Sequence, residues 1–285
     1  MGINHLKKRT KITDPKGMIV LNMKRFLLFL FRRAVIIIVS KSDTLSKLLE
    51  LDLMQVRGKG IGESKNIHNE VFAAAKFLNK LGIERPIVLD IGANVGLFSR
   101  ALLEKIPNAK CYLFEPSPTA IAKLNEILGH DHRVTIFPFA LGKETKRGRL
   151  YFDNPGSGLS SLTRRRLDHF NIFMDKSHSI DIVKGDDVMR SNQIFPHYIK
   201  IDVEGHEMEV LLGLRETIEK AKVIQFEFGG CNIDTRTFFQ DFWYFFTSRS
   251  FTVYRIARNK VIEIPRYSEV DECFLNSNYL CIADN

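Results

Sequence analysis

Acidic residues are nearly missing from the first 33 positions of this 285-residue chain. That stretch holds nine Lys or Arg against a single acid, Asp14, and so carries +8 of the total formal charge of +9. The rest of the chain is close to neutral, which argues against a broad nucleic-acid-binding face on the main body. Cysteine is scarce as well. Cys111, Cys231, Cys273 and Cys281 include no C-x-x-C pair, so neither a structural zinc site nor a disulfide framework is expected, and buried thiols in a reducing compartment are. Internal repeats and low-complexity tracts are lacking. So is an apolar run of the roughly 20 residues a spanning helix needs. Two apolar blocks, Phe26–Phe31 and Ala34–Val39, are split by Arg32-Arg33, and an unbroken signal-peptide core is therefore not present either. Residues 24–39 keep three readings: a helix packed on the domain, a helix lying in a membrane surface with its arginines at anionic headgroups, or a partner-binding segment.

What is there begins with Val88-Leu-Asp-Ile-Gly-Ala-Asn-Val-Gly-Leu97. A short apolar run ends in an acid, two glycines break it, and an amphipathic stretch follows. Strand, glycine turn and helix open a nucleotide-type α/β fold. Gly92 lets backbone pass close to a ligand, and the following helix turns its amide-rich end to the same crevice. A dinucleotide fingerprint would read G-x-G-x-x-G. Here Asn94 holds the middle glycine position. A pyrophosphate needs that glycine for close approach. A ligand without phosphates, such as S-adenosyl-L-methionine, does not, and the spacing favours such a methyl donor over NAD. A tight turn with no ligand is the plain alternative.

Periodicity organises the remainder. Residues 1–20 read as mobile, and residues 24–60 as one or two helices ending at Gly58, Gly60 and Gly62. Asn66–Leu81 is helical and is closed by Gly82. Strands are expected at Ile87–Ile91, Lys110–Phe114, Val134–Phe139, Arg149–Phe152, Tyr198–Val203, Val223–Phe228, Phe251–Ala257 and Asn278–Ile282. The last two are expected to pair antiparallel at the sheet edge. Helices are expected at Val95–Ile106, Pro118–Leu128, Met208–Lys220 and Thr235–Arg249. The alternation predicts a parallel sheet with right-handed crossovers. The division is an N-terminal basic and apolar extension over 1–64 and a domain over 65–285.

Four places carry candidate chemistry. Glu115 ends the second strand, where an acid accepts hydrogen bonds from ribose hydroxyls in this kind of fold. Asp90 is suited to orienting the glycine loop or meeting the donor's cationic end, and Asn94 to bonding loop amides or the donor's amino-acid part. Lys200-Ile-Asp-Val-Glu-Gly-His-Glu207 places Asp202, Glu204 and His206 at the C-terminal end of a buried strand, where open α/β sheets bind ligands. Asp202 and His206 are the candidate general bases, His206 being better matched to neutral pH, and Glu204 would orient His206 or substrate hydroxyls. One short acidic cluster does not establish a metal site, and no metal is assigned. Gly156–Leu162, with Ser160 and Ser161, reads as a lid or a hydroxyl-rich substrate contact. Arg164-Arg165-Arg166 is either a solvated face or an anion clamp, with Arg164 the substrate-facing candidate. The aromatic run Phe238–Phe246 reads mostly as core.

Taken in order, several of these pieces resemble the FkbM family of S-adenosylmethionine-dependent methyltransferases. They are Asp90–Gly96, Glu115-Pro116, Ala140-Leu141-Gly142, Gly158–Leu162, Lys200–Gly205 and Asn278-Tyr279-Leu280, and they cover about residues 65–285. The resemblance implies a class I, Rossmann-like methyltransferase fold: a seven-stranded, mostly parallel sheet with helices on both faces. It implies an S-adenosyl-L-methionine site built from Asp90, Gly92, Asn94, Gly96, Glu115 and Ala140. It also implies methylation of a hydroxyl, commonly on a sugar of a glycan, a lipopolysaccharide or a related natural product. The D/N-P-P-Y/F motif for amino groups of bases is absent. The competing expectations are a non-catalytic, membrane-peripheral protein of the same fold and an NAD-dependent oxidoreductase. A cytoplasmic location, at the inner face of the membrane through residues 24–39, is expected.

Overall fold

Two helices come from the N-terminal stretch. The computed structural model describes residues 15–60 and 67–284, with side chains from Met23 onward. Helix α1 spans Pro15–Val39 and α2 spans Asp43–Val56. α2 starts where the Ser42 hydroxyl accepts the Leu45 N–H at 3.3 Å, an N-cap. Every side chain of Phe26–Phe31 is exposed. Among the described residues no helix is long and apolar enough to cross a membrane. α1 begins at Pro15, inside the stretch expected to be mobile; proline suits a first helical position. The remainder of that expectation, residues 1–14, lies outside the described residues, as do Gly62 and the helix start at Asn66. The chain divides into two compact units between Leu53 and Met54.

In the second unit, α3 (Ile67–Lys80) precedes β1 (Ile87–Ile91), α4 (Leu97–Lys105), β2 (Lys110–Phe114), α5 (Pro118–Leu128) and β3 (Val134–Phe137). β3 stops before Pro138, which has no N–H to donate to the ladder, so the strand expected to reach Phe139 is shorter. The chain then leaves for a small second sheet of β4 (Ala140–Gly142), β5 (Lys146–Phe152) and β6 (Lys176–Lys184). Next come α6 (Gly185–Ser191), β7 (Tyr198–Ile201), α7 (Glu207–Gly213), α8 (Arg215–Ile218), β8 (Val223–Phe228), α9 (Cys231–Thr235), α10 (Phe239–Thr247), β9 (Phe251–Ala257), β10 (Lys260–Glu263) and β11 (Ser277–Ala283).

The main sheet runs β10-β9-β11-β8-β7-β1-β2-β3. β3, β2, β1, β7 and β8 are parallel, and β11, β9 and β10 are antiparallel. It has eight strands rather than the expected seven. The addition is β10, whose half-exposed Lys-Val-Ile-Glu sequence hydrogen-bonds to β9 on one side only. β9 and β11 pair antiparallel as expected, but β10 rather than either of them forms the edge. Tertiary partners break one expected helix and delay the start of another. Buried Asp186 accepts the N–H groups of Glu216 and Thr217, which restarts the chain as α8 after α7. Glu272 accepts the N–H groups of Phe239 and Gln240, which starts α10 separately from α9.

Alternate residues of the strands build two cores. Leu89, Ile91, Ile199, Ile201 and Phe226 face one side, with Val210, Leu211, Phe242 and Phe246 of the helices packed on them. Val88, Leu113 and Tyr198 face the other, under Ala74, Leu78, Leu102 and Leu124. Helices therefore cover both faces. Phe226 stacks on Phe242 and Tyr279 at centroid distances of 4.5 and 5.2 Å, and each such buried ring contributes about 1.5–3 kcal/mol. Phe239, Phe242, Phe245 and Phe246 are core, as expected, whereas Phe238 and Tyr244 are exposed.

Candidate active site

The C-terminal ends of β1, β2, β7 and β8 open into one cavity of about 420 Å³, within the range of small-molecule sites. Its floor is the glycine loop. Gly92 has φ +82°, and a Cβ there would lie 1.8 Å from the Asp202 carbonyl oxygen. The loops after β1 and β7 thus touch backbone to backbone, and only glycine fits. Gly96, at φ +81°, serves packing instead. A Cβ there would meet the side chains of Leu124 and Leu128 at 2.5 and 2.8 Å, holding α4 against α5.

Glu115 ties two loops together. Its Oε2 accepts the Asn94 N–H at 2.9 Å and its Oε1 accepts the Ser117 N–H at 2.8 Å. Burial pushes its carboxyl up to about 7, against the pull of those two amides. Asp90 is wholly buried behind the loop rather than in the cavity wall. One of its oxygens accepts the Ser99 hydroxyl at 2.6 Å, and the other has no hydrogen-bond partner and lies 3.9 Å from Lys200 Nζ. Burial raises the Asp90 carboxyl. Burial pulls the Lys200 ammonium down, but Asp202, Asp90 and Glu70 outweigh it and raise its pKa above the ordinary lysine range.

The loop after β7 is held from below. Glu207, fully buried at the start of α7, accepts the N–H groups of Val203 and Gly205 at 3.1 and 3.0 Å. Glu204 sits at φ +54°, an uncommon conformation for a non-glycine residue that needs such support. Asp202 accepts Lys200 Nζ at 3.0 Å. Glu204 accepts Arg165 Nη1 at 2.5 Å, while burial and the neighbouring Asp202 push its carboxyl up to about 8. His206 Nε2 shares a 2.9 Å hydrogen bond with the Thr163 hydroxyl, and burial lowers its pKa. The loop from Ser157 to Thr163 forms the roof. Ser161 donates to the Glu204 carbonyl at 2.7 Å and pairs with Tyr151, so the roof is fastened to the catalytic-looking loop.

Gly92, Asn94, Glu115, Ala140, Ser160, Asp202, Glu204 and His206 all line this one cavity. Asp90, Gly96, Ser161 and Arg164 stand outside its wall. Ser161 is a buried brace, and Arg164 donates its Nε to the Met174 carbonyl. In the arginine run it is Arg165 that is buried, paired with Glu204 and 3.8 Å from Asp234. Among the ionisable and amide side chains that line it, Glu70, Glu227 and Asn276 escaped the sequence. Glu227 carried a signal, being an acid in the otherwise apolar end of a central strand. Glu70, on the apolar face of α3, and Asn276 carried none. Carboxylate oxygens of Asp202, Glu204 and Glu227 lie within 4.8 Å of one another.

A 2-O-methyltransferase, NoeI, of Sinorhizobium fredii is 30% identical over half of this chain and 63% of its own length. A hexuronic acid methyltransferase, AglP, of Haloferax volcanii is 26% identical over half of this chain and 55% of its own. The chain thus spans less than two thirds of either relative. A solved FkbM methyltransferase from Methylobacillus flagellatus aligns with a TM-score of 0.45 at 16% identity, over 70% of this chain and 44% of that one. The methyltransferase FkbM domain matches residues 90–253, more than half of the sequence, and the chain belongs to that family.

Proposed function

We propose that this protein is an S-adenosyl-L-methionine-dependent O-methyltransferase acting on a hydroxyl of a sugar, in a glycan, a lipopolysaccharide or a related natural product. The observation that carries the reading is the acidic make-up of the cavity wall, whose buried carboxyls titrate near neutral pH and can ionise to meet an entering cation. Among its described lining residues, Glu70, Glu115, Asp202, Glu204 and Glu227 face a single lysine, Lys200, already paired with Asp202. The methyl donor is a net cation and suits such a wall. A dinucleotide would bring two phosphate charges, and each carboxylate left ionised near 4 Å from one costs about 4 kcal/mol at an effective dielectric of 20. The name of the Sinorhizobium relative supports transfer to oxygen, and that of the Haloferax relative supports a sugar acid as the acceptor class.

In this reading residues 65–285 carry the activity. Gly92, Asn94, Glu115 and Ala140 hold the donor, Glu115 through its ribose, with Asp90 and Gly96 shaping the loop beneath. Ser160, Ser161 and Arg164 serve the acceptor side, and Asp202, Glu204 and His206 stand at the reacting end. Bound donor supplies an electrophilic methyl group on sulfur. The protein contributes alignment of the hydroxyl with it, worth up to about 7–11 kcal/mol, and a proton acceptor. Calorimetry with S-adenosylmethionine, S-adenosylhomocysteine and NAD, followed by labelled-methyl transfer to methyl glycosides of neutral hexoses and hexuronates, tests it. Binding of NAD alone would end the reading. Donor binding with no transfer to any glycoside would favour the non-catalytic alternative.

A second reading concerns residues 24–39. Lys24, Arg25, Arg32 and Arg33 stand among exposed apolar side chains in a helix with no acid, which fits an anionic lipid surface such as the cytoplasmic leaflet. Sedimentation with phosphatidylserine vesicles, weakening with salt and lost on deleting residues 1–40, is the expected result. Equal sedimentation of the truncated chain would refute it.

A further inference from the structure

Three groups near the reacting end are already engaged. Asp202 is held by the Lys200 ammonium, Glu204 by the Arg165 guanidinium, and His206 through its Nε2 by the Thr163 hydroxyl. Glu227 is different. It lies one residue from the end of β8, directly beside the end of β7, because Ile201 registers with Phe226. It is 3% exposed, lines the cavity, and has no cation paired with it among the described residues. Its hydrogen-bond partner among the described side chains is Asn276 Nδ2, at a long 3.4 Å. A buried carboxyl facing an open cavity with so weak a partner is poised to accept a hydrogen bond from something that enters.

From this geometry we infer that Glu227 is a further catalytic residue, the group that receives the acceptor's hydroxyl proton. The inference rests on the methyl-donor reading above. The step balances as follows. The acceptor oxygen forms a bond to the methyl carbon, and the carbon–sulfur bond breaks with its electron pair left on sulfur. The hydroxyl proton passes to a Glu227 carboxylate oxygen. A sulfonium and a carboxylate become a thioether and a carboxylic acid, so a charge pair disappears in a buried site and needs no reorganised solvent. Asp202 and Glu204, each with a cation of its own, are left to orient neighbouring hydroxyls of the acceptor.

Glu227 is faced by Asp202 and Glu204 from the loop after β7, by Glu207 from α7 and by Glu70 from α3. Burial first, and these acids next, raise its carboxyl well above the ordinary range. The donor's positive charge opposes that shift, so S-adenosylmethionine should displace a proton that neutral S-adenosylhomocysteine does not.

The experiment is calorimetry of the full-length chain with each nucleoside at pH 7.5, in phosphate and in Tris buffer. Wild type should release roughly one more proton with S-adenosylmethionine than with S-adenosylhomocysteine. E227Q should bind S-adenosylhomocysteine within about threefold of wild type, bind S-adenosylmethionine at least about tenfold more weakly, and lose most of that proton difference. With a methyl glycoside acceptor, E227Q should lower kcat by about 10²–10⁴-fold and abolish the acidic limb of its pH profile, and E227D should restore the limb in part. An unchanged proton difference in E227Q, or wild-type kcat, would overturn the inference. Manganese(II) binding that E227Q abolishes would overturn it too, by making the group a metal ligand. Failure of wild type to bind either nucleoside would instead overturn the donor reading, and the inference with it.

Discussion

Replacing Glu70 by glutamine should stabilise this protein at alkaline pH. Glu70 is 6% exposed in α3, and its Oε2 accepts the Gln225 Nε2–H at 2.6 Å. Gln225 in turn accepts the Tyr198 hydroxyl and donates to Asn278. A glutamine carbonyl keeps the 2.6 Å contact and never ionises. Burial raises the Glu70 carboxyl from 4.5 to about 7, despite the nearby Lys200. A carboxyl raised in the folded state binds its proton more tightly there than in the unfolded chain. Its contribution to stability is therefore largest below pH 4.5 and falls as pH climbs to about 7. At about 1.4 kcal/mol per pH unit, the loss amounts to about 3 kcal/mol at pH 8. Urea denaturation should show E70Q more stable than wild type by about that amount at pH 8, and by under about 1 kcal/mol at pH 5. Equal stability at pH 8, or an unchanged pH slope, would refute the argument that this acid is held against its solvation preference.

Other perturbations have equally definite outcomes. Gly92→Ala drives a Cβ into the Asp202 carbonyl at a positive φ, and should lower unfolding free energy by more than about 3 kcal/mol; an unshifted urea midpoint would contradict the loop contact. Glu115→Ala removes the acceptor of two loop amides, and the calorimetric Kd for S-adenosylhomocysteine should rise at least about tenfold. Arg165→Met strips Glu204 of its counter-charge, at a cost of about 3–5 kcal/mol where Glu204 is ionised. Since Glu204 titrates near 8 even with the arginine in place, the loss should be larger at pH 8.5 than at pH 6. The double variant R165M/E204Q should recover most of it, and purely additive losses would deny the coupling.

Much of the frame was legible because it is local. The run from Val88 to Leu97 specifies strand, turn and helix through composition alone. Glu115-Pro116 and the Asp202–His206 cluster mark strand ends by abrupt changes in polarity. Where the reading failed, a distant partner intervened. β6 alternates weakly and is recognisable only once β4 and β5 flank it. β10 needs β9. The helix expected over Met208–Lys220 breaks at a cap supplied by Asp186, and the one expected from Thr235 starts only at Phe239, where Glu272 caps it; both caps are far away in the chain.

The same division holds in the site. Residue order alone determined the α/β class, the family, the acidic character of two strand ends and the charge imbalance of the N-terminal segment, since each depends on neighbours within one or two turns. Only the tertiary structure decided which charges meet. It paired Arg165 with Glu204 and Lys200 with Asp202, and put Glu70 and Asn276 into the cavity wall. It also left Glu227 without a cation among the described residues. Burial and proximity set the energy of an ionisable group, and both are properties of the packed sheet rather than of any segment in it.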